Sequence, residues 1–365
     1  MSSNLLPPAI LDADQALHSL YERVHFFRHL NPVNAPEARM AFRRGETVPP
    51  FQYRPAIWAD RELKLLDALA PPQDHPFGVL IGQAVHGARL FILALRDRSP
   101  QAFDALSRFN GWYPTDGELL QAKEEPFGRD LSPSTIGAQS MIRALRKALV
   151  ERDLLGWRVD LDTIMSARVL VDGAKREIKV RPSASFRRQD VPRLVAHEIE
   201  VHATRANNGA QQALSIFSTG LPGSLATEEG LALYAEEQVG ASSPGTAWRQ
   251  GVVLQAVEWA RELGFFELHQ RIARDADPGL AWGISERLKR GLADPGAPGV
   301  YAKDAVYYQG YKRVTDWIDG GGPLSHLYVG KVGVADPVQQ WLDQGLITPQ
   351  PVPKLFGQPA PGSLS

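Results

Sequence analysis

The sequence predicts a mainly helical α+β fold. Three observations carry that expectation. Apolar positions recur at helical spacing through most of the first 155 residues. Two short β-rich runs then flank Asp172-Gly173 in "ARVLVDGAKREIKVRP". Helical patterns resume after them and continue to about residue 345. A chain of 365 residues holds one large domain or two modest ones. The change of texture divides it into a helical N-terminal region, 1–155, a strand-plus-helix core, 156–345, and a Pro/Gly-rich tail, 346–365.

The elements follow in order. Residues 13–30 read as an amphipathic helix stopped by Asn31-Pro32. "TVPPFQYRP" is extended, and helical patterns return at 60–69, 77–97, 100–110 and 133–154. The most apolar of these, "FGVLIGQAVHGARLFILAL", is interrupted by Gln83, His86 and Arg89, which suits a core helix better than a membrane span. After the hairpin comes a helix over 190–209. Asp190 is placed to cap it, Pro192 suits its first turn, and Asn208-Gly209 stops it. "SLATEEGLALYAEEQVG" forms the next helix, capped by Ser224 or Thr227 and ended at Gly240.

Bulk properties narrow the function. Apolar residues make up 44% and charged residues 22%, an ordinary globular balance. A net charge of -1 provides no global field for nucleic acid or an anionic membrane, so neither is an expected partner. With no cysteine, disulfides, thiolate metal sites and a cysteine nucleophile are excluded. The start, "MSSNLLPPAILDADQAL", lacks a basic stretch and a long apolar run, so the expectation is a soluble cytoplasmic protein. Ser215, Ser218 and Ser224 lack a G-x-S-x-G elbow. His18, His25 and His29 share one helix face, where ordinary packing is the default.

"VAHEIEVHATRANNG" carries the chemistry. His197 and His202 flank Glu198 but stand five residues apart, where the familiar zinc-peptidase pattern has four. On a regular helix, positions five apart diverge by about 140°. A metal site therefore requires a local irregularity, such as a π-bulge, between Glu198 and His202. Two unrelated helix histidines require none. A third ligand must be Asp, Glu or His, and "TEEGLALYAEE" offers Glu228, Glu229, Glu236 and Glu237.

"HEIEVHATRANNG" followed by "GLPGSLATEEGLA" resembles the microtubule-associated tyrosine carboxypeptidase family, whose bacterial members are called QEGLA-motif proteins. "NPVN", "PFQYRP", "FNGWYPTDGELLQA", "YAKDAVYYQG" and "LYVGKVGVADPVQQWLDQGLI" extend the resemblance over most of the chain. It implies a zincin-like core holding one zinc ion on His197, His202 and Glu229, with Glu198 as catalytic base and Glu228 supporting the ligands. Eukaryotic relatives trim tubulin tails. For this chain the implied substrate is a peptide or protein C-terminal tail of unstated sequence. The family usually has Gly-Thr where this chain has Glu200-Val201.

The expected function is a zinc metallopeptidase of the carboxypeptidase type. The alternative is a non-catalytic regulatory protein that keeps the metal for structure. A carboxypeptidase also needs a cation for the terminal carboxylate and a donor for the oxyanion. Arg205 or Lys303 is the candidate for the first and Tyr307 for the second. "REIKVRP" is a candidate edge strand for binding peptide by β-addition.

Overall fold

The computed structural model describes residues 6–128, 133–242 and 245–356. Residues 1–5 and residues 357–365 of the expected tail lie outside the described residues. The protein is mainly helical, with two small sheets.

The N-terminal helices are Pro8–Arg23, Phe26–Leu30, Ala35–Arg43, Ala59–Asp67, Pro76–Asp97, Pro100–Phe109 and Asp116–Glu124. The predicted 13–30 helix starts earlier and is broken where Val24 turns extended, at φ -101° and ψ 121°. Two helices lack a sequence expectation. Ala35–Arg43 is only nine residues long. Asp116–Glu124 starts on a reciprocal capping box between Thr115 and Glu118. Among the described residues, only Pro76–Asp97 is long and apolar enough to cross a membrane, by length and composition. One of its faces, Phe77, Ile81, Val85, Ala88 and Ile92, is packed into the main core.

Among the described residues, five strands follow the N-terminal helices: β1 (Ile136–Gly137), β2 (Arg158–Leu161), β3 (Val169–Asp172), β4 (Glu177–Val180) and β5 (Ser185–Phe186). β3 and β4 form the expected hairpin, with Asp172 opposite Glu177 and Arg176 at φ 50° in the turn. β2 adds to the other side of β4 in parallel, giving the order β2-β4-β3. This corrects the β-addition expectation. "REIKVRP" is the central strand, hydrogen-bonded on both sides, and β2 and β3 are the edges.

The main hydrophobic core draws on both sides of residue 155, from Leu6 to Ile347. A second core packs the Ala138–Glu151 helix and the strands beneath Leu194, Ile199 and Ala203. These three belong to the helix that carries the histidines, so the sheet supports that helix from below.

Candidate metal centre and cleft

The helix over 190–209 is not regular. An α-helical turn, Asp190–Leu194, passes into a π-helix, Val195–Ala203, and then into Thr204–Gly209. Gln189 rather than Asp190 occupies the capping position. Asp190 opens the first turn with its carboxylate held by Arg168 and Arg193. The widened turns bring positions i and i+5 onto one face. The His197 and His202 rings lie with centroids 4.7 Å apart. Carbonyls in the widened region find side-chain donors: the Thr204 hydroxyl donates to Ile199 O at 2.8 Å, and the Tyr328 hydroxyl to Glu200 O at 3.0 Å.

The helix Ser224–Gln238 lies against this one and supplies carboxylates. Glu229 Oε2 is 3.7 Å from His197 Nε2 and 3.6 Å from His202 Nε2. The other ring nitrogens are already engaged. His197 Nδ1 meets Glu236 Oε1 at 2.8 Å, and His202 Nδ1 meets Glu228 Oε1 at 2.8 Å. A carboxylate on each Nδ1 favours the proton there and leaves the Nε2 lone pairs converging. Glu229 Oε2 is buried and has no hydrogen-bond partner among the described residues. An orphaned carboxylate oxygen is costly unless a cation takes it. Donors at about 2.0–2.2 Å from a tetrahedral ion stand roughly 3.4 Å apart, close to the spacing found here. The residues therefore fit a divalent metal held by two imidazoles and one carboxylate. A carboxylate oxygen of Glu198 lies within 4.8 Å of a nitrogen of each histidine.

The surrounding charges hold this arrangement. Burial pushes the Glu228 carboxyl up, but Lys331, Arg205 and His202 outweigh it and hold it well below the usual range. Burial is likewise overcome at Glu229, chiefly by Lys303. At His197 burial disfavours positive charge, whereas the carboxylates of Glu229 and Glu236 favour it, and a cation held at Nε2 would supply that charge.

The other sequence candidates sort by position. Arg205 is fully buried, away from the cleft wall. Its guanidinium donates to Glu228, to Leu327 O at 2.7 Å and to Val332 O at 2.5 Å, so it braces the partner of His202. Lys303 reaches Glu229 Oε1 at 3.3 Å. Tyr307 lines the cleft, and burial and the nearby Glu229 charge raise its pKa well above 10, keeping the hydroxyl a donor. Glu200 points away from the cleft and pairs with Arg152 beside the Ala138–Glu151 helix. His18 meets Glu22 Oε1 at 3.5 Å, and His29 accepts from Trp58 Nε1 at 3.0 Å. Glu236 and Lys331 gain roles that the sequence reading did not assign. Glu236 lies seven residues after Glu229, on the same helix face, which is the signal that finds it.

The centre opens on a cleft of about 460 Å³. β3 borders it, and Phe26, Phe91 and Trp112 line a wall supplied by the N-terminal helices and the segment that joins Pro100–Phe109 to Asp116–Glu124.

A family model described as microtubule-associated tyrosine carboxypeptidase matches residues 118–361, so those three aromatic residues precede the matched segment. Microtubule-associated tyrosine carboxypeptidase 1 of Homo sapiens is 29% identical over 160 residues, covering 42% of this chain and 33% of that protein. Its Mus musculus counterpart is 27% identical over 158 residues, with the same coverage. The aligned segment thus spans about a third of the length of these relatives. The family match covers well over half of the chain and includes both glutamate-bearing and histidine-bearing helices, and on that ground the chain belongs to the microtubule-associated tyrosine carboxypeptidase family.

Proposed function

We propose that the protein is a zinc-dependent metallopeptidase with a zincin-like core, acting as a carboxypeptidase on a peptide or protein C-terminal tail. One observation carries the reading. The free Nε2 atoms of His197 and His202 converge on the orphaned Oε2 of Glu229, with Glu198 beside them in an open cleft. The names of the relatives support carboxypeptidase chemistry.

His197, His202 and Glu229 would hold the ion. Zinc so bound polarises the scissile carbonyl and makes water acidic enough to ionise near neutrality. Glu198 takes the proton from the attacking water and returns it to the amine nitrogen as the C–N bond breaks. The Tyr307 hydroxyl donates to the carbonyl oxygen as negative charge builds there. β3 offers its free edge to the substrate backbone. Glu228 and Glu236 hold the imidazoles in the ligating tautomer.

The test joins metal content with turnover. Protein purified without a metal-binding tag should carry about one zinc per chain and shorten peptides from the C-terminus. Glu198→Gln should keep the zinc and lose about 10²–10⁴ in kcat/KM. Absence of metal after reconstitution, or full activity in Glu198→Gln, would overturn the proposal.

A further inference from the structure

We infer that Arg290 anchors the free carboxylate of the substrate's last residue, which makes the protein an exopeptidase. The inference rests on the peptidase reading above and adds the feature that selects chain ends.

The argument begins with the cations of the cleft. Arg28 pairs with Asp162 at 2.8 Å, Lys179 with Glu177 at 2.8 Å, Lys303 with Glu229 at 3.3 Å and Lys331 with Glu228 at 3.1 Å. Arg287 binds both oxygens of Asp304, at 2.5 and 2.9 Å. Arg290 also lines the cleft, and its carboxylate contact is a longer one, 3.3 Å to the same Asp304. Two guanidinium groups thus share one carboxylate, and the pair carries one uncompensated positive charge.

Arg290 is also short of acceptors. It is 5% exposed. Nη1 donates to the Ser166 hydroxyl at 2.6 Å and Nη2 to Asp304. Nε is buried with no partner among the described residues. A guanidinium has five N–H donors in a rigid fork. A buried donor without an acceptor is a standing cost, which a ligand acceptor relieves. A carboxylate matches both the missing charge and the missing acceptor geometry.

The group is held ready. The Tyr301 ring lies 5.2 Å beneath the guanidinium carbon, and Ser166 holds one edge. It is also well placed. Arg287 and Arg290 line the same cleft as His197, Glu198, His202, Glu229 and Tyr307, so the arginine pair and the metal centre share one cavity. The guanidinium is recessed in the wall. A chain end carrying a carboxylate can enter such a recess, whereas a continuing chain brings neither the charge nor the taper.

The test uses zinc-loaded protein and two peptides of one sequence, one ending in a free carboxylate and one in an amide. The wild type should favour the free acid by about 100-fold in kcat/KM, and Arg290→Gln should cut that preference about 30-fold. Arg290→Lys, which keeps charge but not the fork, should fall between them. Equal cleavage of acid and amide by the wild type, or an unchanged preference in Arg290→Gln, would overturn the inference. Calorimetric binding of N-acetyl-phenylalanine and its amide supplies a readout without turnover; the aromatic side chain suits the neighbouring Tyr301 and Trp112. The acid should bind the wild type more tightly than the amide, and Ser166→Ala, which frees one edge of the fork, should narrow the difference. Should the wild type cleave neither peptide, the peptidase reading fails, and this binding comparison still decides the anchor. Equal binding of acid and amide would overturn it even if Arg290→Gln does not fold.

Discussion

Gly230→Ala tests how the proposed metal ligands are positioned. Gly230 follows Glu229 on the helix Ser224–Gln238, which packs against the helix Val306–Asp319 that carries Tyr307. The two backbones meet at glycines. A Cβ on Gly230 would lie 2.1 Å from Gly310 C, 2.2 Å from Gly310 O and 2.6 Å from Tyr311 N. Ordinary heavy-atom contacts are about 3.5 Å, so the helices must separate by roughly 1 Å. Overpacking of this kind costs about 3 kcal/mol, and the better helix propensity of Ala offsets about 1 kcal/mol. The net loss of about 2 kcal/mol should lower the melting temperature by about 3 °C in a chain of 365 residues. Glu229 and Tyr307 stand on these two helices and both line the cleft, and a shift of about 1 Å at the reacting groups should cost about 100-fold in kcat/KM. The assay is thermal unfolding with metal titration and turnover, run beside Gly283→Ala. Gly283 lies inside the helix Pro278–Lys289 with nothing within 4 Å of an added Cβ, so Ala there should stabilise by about 0.5–1 kcal/mol. If Gly230→Ala matched the wild type in melting temperature and metal affinity, the close helix contact would not be what places Glu229.

Three further outcomes follow from the same geometry. Glu236→Gln removes the carboxylate on His197 Nδ1 and should weaken metal affinity about 10–100-fold in a competitive chelator titration, with the fold retained by circular dichroism. Thr204→Val keeps the side-chain shape but deletes the hydroxyl bond to Ile199 O inside the widened turn. It should cost about 1 kcal/mol in chemical denaturation, and an equally stable variant would show that bond to be dispensable. Asp304 is buried, and although burial raises its pKa, Arg287 and Arg290 drive it far below the ordinary 3.8. Its stabilising contribution is therefore complete above that ordinary value and is lost as pH falls toward the folded one. Asp304→Asn should be about 3 kcal/mol less stable than the wild type at pH 7, with the gap closing below about pH 4; a gap independent of pH would refute the ionic account.

What the sequence determined by itself rests on local rules. Helical spacing, the Asp172-Gly173 turn and the stop at Gly240 place most elements, since each follows from a few neighbouring residues. The five-residue spacing of His197 and His202 demanded a widened helix if the rings were to meet, and a π-helix covers that stretch. Short elements such as Ala35–Arg43 and β2 were not legible, because four to nine residues carry too little periodicity to separate helix, strand and loop. Only the tertiary structure decided which carboxylate meets which ring nitrogen. Glu236 lies 39 residues from His197, and Glu228 lies 26 from His202. It turned Arg205 inward to Glu228 and the carbonyls of Leu327 and Val332, made β4 the central strand, and left Arg290 sharing Asp304 with Arg287. The physical reason is the same in each case. Charge pairing and strand order depend on groups far apart in the chain, and a long-range partner leaves no mark on the residues beside it.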